Sequence, residues 1–454
     1  MKNTNLSKLI KDRLYTRLDR TAVFGKSRNL TYSELTKLSL DLNDEQVVLY
    51  ISDITLLISI MTLLDGSVRT LCPISTLIDK SDLIHLLSLH KFNTVVSDKQ
   101  TADLDIFMDR NINFQRVAEL SSSNKSQQSF SGQDTTWLIP TSGTTSKPKL
   151  VKHTIKSLTA SAIKTKNEYK EPQVWGLFYD ITRYAGYQTL FNSLLNGHSL
   201  VVPPHNQTIN EKVETCIKRC VTHISATPTL WRKILMSKMS SKIPLKSIVL
   251  GGEAADQPTL DALKKYFPDA KITHVYASTE AGLGISVSDG LAGFPMHFLK
   301  NSKATTDIAI RKDHLFLRSP STALGYEDEA DLKDMHGWVD TGDLVKIEGN
   351  RFFVIGRANG AINIGGDKVN PNNIRHMLLE HPDVLEARVY GKKSPLTGML
   401  LLADVQLYTN IDEEAGKKSI MTFINEKFQP KDRPRIVYIV NEIHTDITGK
   451  IGQR

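Results

Sequence analysis

Cysteine is scarce in this chain. The three residues present among 454, Cys72, Cys216 and Cys220, form no C-x-x-C pair and no disulfide framework. That excludes a disulfide-stapled scaffold, leaves no visible zinc site and fits a reducing, cytoplasmic location. Long apolar runs are also missing: the most hydrophobic stretch, ITLLISIMTLL over 54–64, has 11 residues between Asp53 and Asp65. A membrane span needs about 20, so no membrane span is expected and the stretch reads as a buried helix. The opening MKNTNLSKLIKDRLY lacks the apolar core and small-residue cleavage site of a signal peptide. Basic residues give a net charge of +8 but are dispersed rather than clustered; this argues against nucleic acid and suits an anionic small partner or an acidic carrier. A Walker A loop is absent too, because the nearest candidate, TSGTTSKPK at 141–149, carries Pro148 where G-x-x-x-x-G-K-[ST] requires glycine. No internal repeat is evident.

With 40% apolar and 23% charged residues, a chain of this length is an ordinary globular protein of two or three domains. From 47 to about 277 apolar strands alternate with amphipathic helices, which predicts an α/β fold built on parallel sheet. A helix is expected over 152–168. From 285 to 356 the helical pattern gives way to short strands (DIAIRK, HLFLRS, LVKIEG, RFFVIG), a small antiparallel unit. The Gly- and Asn-rich segment GRANGAINIGGDKVNP then reads as a hinge, followed by a compact α+β pattern with helices over 371–380 and 413–428. The expected division is 1–356, a hinge at 357–360, and 361–454.

TSGTTSKPK is the most distinctive stretch. Glycine allows close approach of backbone to a ligand, and hydroxyls with successive N–H groups supply donors without bulk, so the stretch reads either as a phosphate cradle or as a plain surface turn. In open α/β sheets ligands sit at the carboxyl ends of strands, and TSGTT, GGE at 251–253 and STE at 278–280 all fall at such ends.

In chain order the segments TSGTTSKPKLVKHT, VTHISATPTLW, SIVLGGEAADQ, THVYASTEAG, LFLRSPSTALGY, GWVDTGDLV, FFVIGRANGAINIGGDKVNP and TDITGKIGQR closely resemble the adenylate-forming superfamily of acyl-CoA synthetases, aryl and acyl ligases and peptide-synthetase adenylation domains. The resemblance runs from about Leu30 to the end. It implies a large N-terminal domain of layered α/β subdomains with a small antiparallel β unit, a small mobile α+β C-terminal domain, and a two-step reaction. ATP and Mg²⁺ would be required. A small carboxylic acid would be activated as an acyl adenylate with release of pyrophosphate, and its acyl group passed to the thiol of coenzyme A or of the phosphopantetheine arm of a separate carrier protein.

By the same resemblance, Thr141, Ser142, Gly143, Thr144 and Thr145 hold the β- and γ-phosphates, with Lys149 supporting the loop. Thr279 contacts the α-phosphate and Glu280 binds Mg²⁺, a hard oxygen for a hard cation. Tyr276 stacks on adenine beside backbone at Gly251 and Gly252, while Asp343 and Arg357 meet the ribose. Lys450 bridges the reacting carboxylate and the α-phosphate. Asn359 is the hinge residue, and Gly365 and Gly366 face the thiol channel.

Departures from the family pattern are Ser146 and Ala277 in place of glycines and Asn359 in place of Asp or Lys, and none removes a charge the chemistry needs. Ala277 would narrow the acyl pocket. Aligning Gly186 with aryl and acyl ligases puts Arg183 near the pocket mouth, where it could meet a polar or second acidic group of the acid. Tyr179-Asp180 superficially imitates the ammonium-binding pair of amino-acid-activating relatives but is spaced differently. Two alternatives stay open: a free-standing amino-acid adenylating enzyme, and a catalytically silent nucleotide-binding homologue.

Overall fold

The computed structural model describes residues 5–14, 18–26, 28–37, 42, 45–99, 105–116, 134–141, 147–164, 172–300, 306–327, 331–364, 367–394, 398–445 and 451. Two large sheets dominate it. The first has seven strands in the order Gly325–Tyr326, Leu150–Thr154, Thr136–Pro140, Thr70–Pro73, Gln46–Tyr50, Thr94–Ser97 and Asn113–Arg116. It is parallel from Thr136–Pro140 to its Asn113–Arg116 edge, and its other two strands pair antiparallel. The second has eight strands, with Lys271–Ser278, Ser247–Leu250, His223–Ala226, Val174–Leu177, Ser199–Val201 and Thr21–Phe24 running parallel between antiparallel edges formed by Gly282–Val287 and Asn29–Thr31.

The main apolar core draws on both sheets and on the helices Leu6–Leu14, Ile54–Leu64, Ile155–Lys164 and Tyr184–Leu195. Parallel strands covered on both faces carry near-continuous apolar runs, which is why these segments do not alternate. In the helix Ile54–Leu64, Thr55 and every residue from Leu57 to Leu64 are buried, and the Asp53 carboxylate caps its first turn at Thr55 N and Leu56 N. Among the described residues no helix is long and apolar enough to cross a membrane.

The run expected to be helical over 152–168 divides instead into the strand Leu150–Thr154 and the helix Ile155–Lys164. Ladder bonds to Thr136–Pro140 outweigh the helical preference of the first residues, so TSGTTSKPK closes a β-hairpin rather than opening a helix. The short strands after residue 290 form a five-stranded antiparallel sheet, in the order Phe294–Pro295, Arg351–Arg357, Val339–Glu348, His314–Arg318 and Asp307–Arg311.

Beyond it, Val384–Ser394, Gly398–Leu407 and Ile436–Ile439 form a sheet packed with the helices Pro371–Leu379 and Glu413–Lys427. Their apolar cluster takes its residues from 362–439, whereas the other clusters lie within 6–354. A buried polar network crosses between the two regions. Arg232 donates to Asp256 (2.8 Å) and to Glu386 (2.6 Å), and Arg375 donates to Glu386 (2.8 Å) and to the Thr229 hydroxyl (2.9 Å). Every one of these side chains is buried.

Candidate active site

The two strands flanking TSGTTSKPK set the first part of the site. Thr141 N donates to Lys149 O (2.9 Å), and Lys149 N returns a bond to Thr141 Oγ1 (3.3 Å), pinching the neck of the loop. Ser142, Gly143, Thr144, Thr145 and Ser146 lie outside the described residues. Lys149 places its ammonium 4.7 Å from the centroid of the Tyr326 ring, a cation–π contact. The Tyr326 hydroxyl donates to Glu280 Oε1 (3.1 Å). Tyr326 is held there because Gly325–Tyr326 pairs with Val151 and Lys152 of the hairpin. One aromatic ring thus joins the base of the phosphate loop to the carboxylate expected to meet the metal.

Thr279 and Glu280 occupy the turn between the antiparallel strands Lys271–Ser278 and Gly282–Val287. Gly282 closes that turn at φ +79°, and a Cβ there would lie 2.5 Å from the Ser321 backbone oxygen. Ala323 N donates to Glu280 O (2.9 Å), and Ala281 N to Ser278 Oγ (3.0 Å). Among the described residues no three His, Cys, Asp or Glu side chains converge as metal ligands. A lone carboxylate nevertheless fits Mg²⁺, which is usually held by one or two carboxylates together with water and substrate phosphates.

Two residues before the end of the strand Lys271–Ser278, Tyr276 turns its hydroxyl to Asp343 Oδ2, and Arg357 Nε reaches Asp343 Oδ1 (3.0 Å). Asp343 and Arg357 face each other across the strands Val339–Glu348 and Arg351–Arg357. Arg357 also donates to Thr341 O (3.0 Å). Burial pushes the Tyr276 phenol well above its ordinary range, and the Asp343 charge adds to that, so it stays protonated as a donor. For Arg357 burial acts downward but is outweighed by Asp343 and Glu280, and the guanidinium stays charged. The Asp343 carboxylate thus accepts from Tyr276 through one oxygen and meets Arg357 through the other.

Gly251 is a close-approach glycine: a Cβ there would lie 2.8 Å from Val275, its carbonyl accepts Tyr179 Oη (3.0 Å), and its N–H donates to Ala226 O (3.2 Å). Gly252 follows at φ +83°. Glu253 is turned away to Thr229 Oγ1 (2.7 Å).

Two residues placed at the acid pocket by alignment have other partners. Gly186 is packed against the Asp180–Ile181 backbone, where a Cβ would lie 2.2 Å from Asp180 O, so its missing side chain makes room for the fold rather than for a ligand. Arg183, at the N-cap of the helix Tyr184–Leu195, donates to Pro140 O (2.8 Å), just before the phosphate loop. Ala277 is partly buried against the main core. Asn359 lies in the short turn Ala358–Gly360. Lys450, Gly365 and Gly366 lie outside the described residues.

Sequence reasoning missed Tyr326, whose motif TALGY was noted without its role, and His153, within KHT. Both act through contacts more than 40 residues away along the chain, which no local pattern encodes.

The chain matches the AMP-binding enzyme family over residues 59–311 and the AMP-binding enzyme C-terminal domain over residues 374–450. It is 27% identical over 350 residues to a 2-succinylbenzoate–CoA ligase of Bacillus cytotoxicus, covering 72% of this chain and 71% of that one. A second 2-succinylbenzoate–CoA ligase, from Bacillus velezensis, is 26% identical over 344 residues, covering 70% and 67%. Among solved structures, the anthranilate CoA ligase AuaEII in complex with anthranoyl-AMP superposes with a TM-score of 0.81 at 20% identity, over 99% of this chain and 96% of that one. The o-succinylbenzoate CoA synthetase of Bacillus subtilis, in complex with its acyl-adenylate intermediate, gives 0.77 at 18% identity, over 98% and 96%. The structural likenesses are likenesses of fold.

Proposed function

The chain belongs to the AMP-binding enzyme family, and from that premise we propose that it is an ATP-dependent acid–thiol ligase that forms AMP. A carboxylate is a poor electrophile. It attacks the α-phosphorus of ATP, the bond to the β-phosphate breaks, and pyrophosphate leaves with the electron pair. The resulting acyl adenylate is then attacked at its carbonyl carbon by a thiolate, and AMP departs. The protein's task is to position and neutralise charge rather than to form bonds itself.

The observation that carries this reading is Tyr326, which ties Lys149 at the phosphate loop to Glu280 at the Thr279–Glu280 turn. The loop 141–145 would cradle the phosphates that leave and Thr279 would meet the α-phosphate. Gly251, Gly252, Tyr276, Asp343 and Arg357 would frame the nucleoside. Glu280 is the residue that would hold Mg²⁺, which when bound neutralises phosphate charge.

We assign residues 1–356 to an N-terminal domain, 357–360 to a hinge containing Asn359, and 361–454 to a C-terminal domain. The separation of apolar clusters at that point supports the division. Lys450 would be delivered to the reacting carboxylate from the C-terminal domain, and Gly365 and Gly366 would border the thiol channel. A compact ammonium on a flexible stem suits a charge that arrives and withdraws.

Relatives named as ligases of 2-succinylbenzoate and anthranilate favour an aromatic acid, and their names as CoA ligases favour coenzyme A over a carrier protein. An amino-acid substrate is disfavoured because Asp180 Oδ1 is already engaged by Thr182 N (2.8 Å) and Thr182 Oγ1 (2.7 Å).

The test is exchange of labelled pyrophosphate into ATP over a panel of aryl, acyl and amino acids that includes 2-succinylbenzoate and anthranilate. Exchange dependent on an aromatic acid is expected. Lys450→Ala should lower it by about 100-fold or more, the scale seen when one charge-stabilising group is removed. Exchange with no acid would overturn the ligase reading in favour of a silent homologue, and exchange that survives Lys450→Ala would remove that residue from the first step.

A further inference from the structure

We infer that His153 is a positioning residue that fixes the Thr279–Glu280 turn by binding the Thr279 carbonyl, and so aims the Thr279 hydroxyl and the Glu280 carboxylate at nucleotide and metal. His153 belongs to the strand Leu150–Thr154, which leads out of the phosphate loop, and it is fully buried. Its Nε2 lies 2.8 Å from Thr279 O, and its Nδ1 lies 2.9 Å from Ser157 Oγ.

A carbonyl oxygen only accepts, so the proton must sit on Nε2. In the neutral ring Nδ1 is then an acceptor, and it shares the single Ser157 hydroxyl proton with Thr154 O (3.0 Å). Ser157 Oγ in turn accepts from Thr154 N (3.1 Å). The Thr279 carbonyl therefore selects the tautomer protonated on Nε2, with its N–H aimed at the turn. Burial supports the neutral form, pushing the imidazole down to about 4. The Tyr184 ring packs against the imidazole with centroids 5.6 Å apart and fixes its plane.

The turn needs this support. Its far side is held by backbone bonds: Ser278 pairs with Gly282, and Ala323 N donates to Glu280 O. The Thr279 carbonyl is met by His153. Thr279 immediately precedes Glu280, so a rotation of that peptide would swing both side chains. The link joins the strand Leu150–Thr154 to the Thr279–Glu280 turn, as Tyr326 joins Lys149 to Glu280.

This inference rests on the assignment of Glu280 as metal ligand and Thr279 as phosphate contact, and its test separates the two. The probes are ATP binding titrated with Mg²⁺ and, in parallel, acid-dependent pyrophosphate exchange, for the wild type, His153→Leu, His153→Gln and Ser157→Ala. His153→Leu keeps bulk but removes the donor. It should raise the Mg²⁺ concentration for half-maximal ATP binding by about 10-fold or more, the usual cost of losing a partner that orients a metal ligand, and lower the exchange kcat. ATP binding without metal should change much less. His153→Gln, whose amide can donate to the same carbonyl, should restore most of the loss. Ser157→Ala removes the partner of Nδ1 and should shift the Mg²⁺ midpoint in the same direction by less.

Unchanged midpoints in all three variants, or equal loss in the Leu and Gln variants, would overturn the inference while leaving the ligase reading intact. A wild type that binds ATP with Mg²⁺ but exchanges with no acid would overturn the ligase reading and leave the His153 comparison readable. Should His153→Leu fail to fold, Ser157→Ala decides: a raised midpoint supports the role and an unshifted one removes it.

Discussion

At the residue scale, Tyr276, Asp343 and Arg357, expected at the nucleoside, converge in the structure. Asp343 and Arg357 face each other on consecutive strands, and the fold brings Tyr276, 67 residues before Asp343, onto the same carboxylate. Asp343→Asn tests the role of that carboxylate. The amide keeps the shape but offers one acceptor instead of two, and it presents a donor where Arg357 or Tyr276 already donates. Losing a hydrogen bond to a charged group costs about 1.5–3 kcal/mol, so ATP affinity should fall by roughly 10- to 150-fold. Isothermal titration with ATP reads this directly, and an unchanged Kd would detach Asp343 from nucleoside binding. Tyr326 and His153 were not legible in the same way. An isolated tyrosine in TALGY or histidine in KHT has no spacing signature, and each gains its meaning only from a strand or turn contributed by a distant segment.

At the scale of elements, the α/β class followed from the alternation of apolar strands and amphipathic helices, and the sheet order did not. The strand Leu150–Thr154 is the clearest case. The run from 152 is expected to be helical, yet Lys152, His153 and Thr154 belong to a strand that pairs with Thr136–Pro140 and Gly325–Tyr326. Non-local ladder bonds overrode local propensity, as is usual for strands. STE does fall at the carboxyl end of Lys271–Ser278, and the return strand Gly282–Val287 makes the turn that follows a hairpin, closed by Gly282.

That closure can be probed. Gly282→Ala must place a Cβ at φ +79° and 2.5 Å from Ser321. Holding a non-glycine residue in a sparsely populated backbone region costs about 1–3 kcal/mol. The variant should lose about that much stability in urea unfolding and also lose exchange activity, because the turn carrying Thr279 and Glu280 would shift. Loss of stability with full activity would show that the turn tolerates displacement.

At the scale of the whole molecule, the decisive contacts are those between the chain before residue 357 and the chain after it. Burying Arg232, Arg375, Asp256 and Glu386 together is favourable only because each charge has a partner, and removing one leaves others uncompensated. Nothing in the local sequence announced this network: Arg232 lies in the amphipathic helix Pro228–Met236 and Glu386 in the strand Val384–Ser394 of mixed polar and apolar residues.

Glu386 also sets a pH signature. Burial alone would raise its carboxyl, but Arg232 and Arg375 outweigh burial and hold it down at about 2, against an ordinary 4.5. A carboxylate whose pKa is lower in the folded state contributes stability above its unfolded value, and that contribution fades as pH falls from about 4.5 towards about 2. Over that window the shift corresponds to about 3 kcal/mol. Glu386→Gln should therefore be destabilised by about 3–5 kcal/mol near neutrality, the cost of stranding two buried guanidinium groups. Its deficit relative to the wild type should shrink steadily as the pH of urea unfolding is lowered below about 4.5. A deficit that stays constant with pH would mean that the two arginines do not depend on the Glu386 charge, and that packing rather than ion pairing joins the two regions.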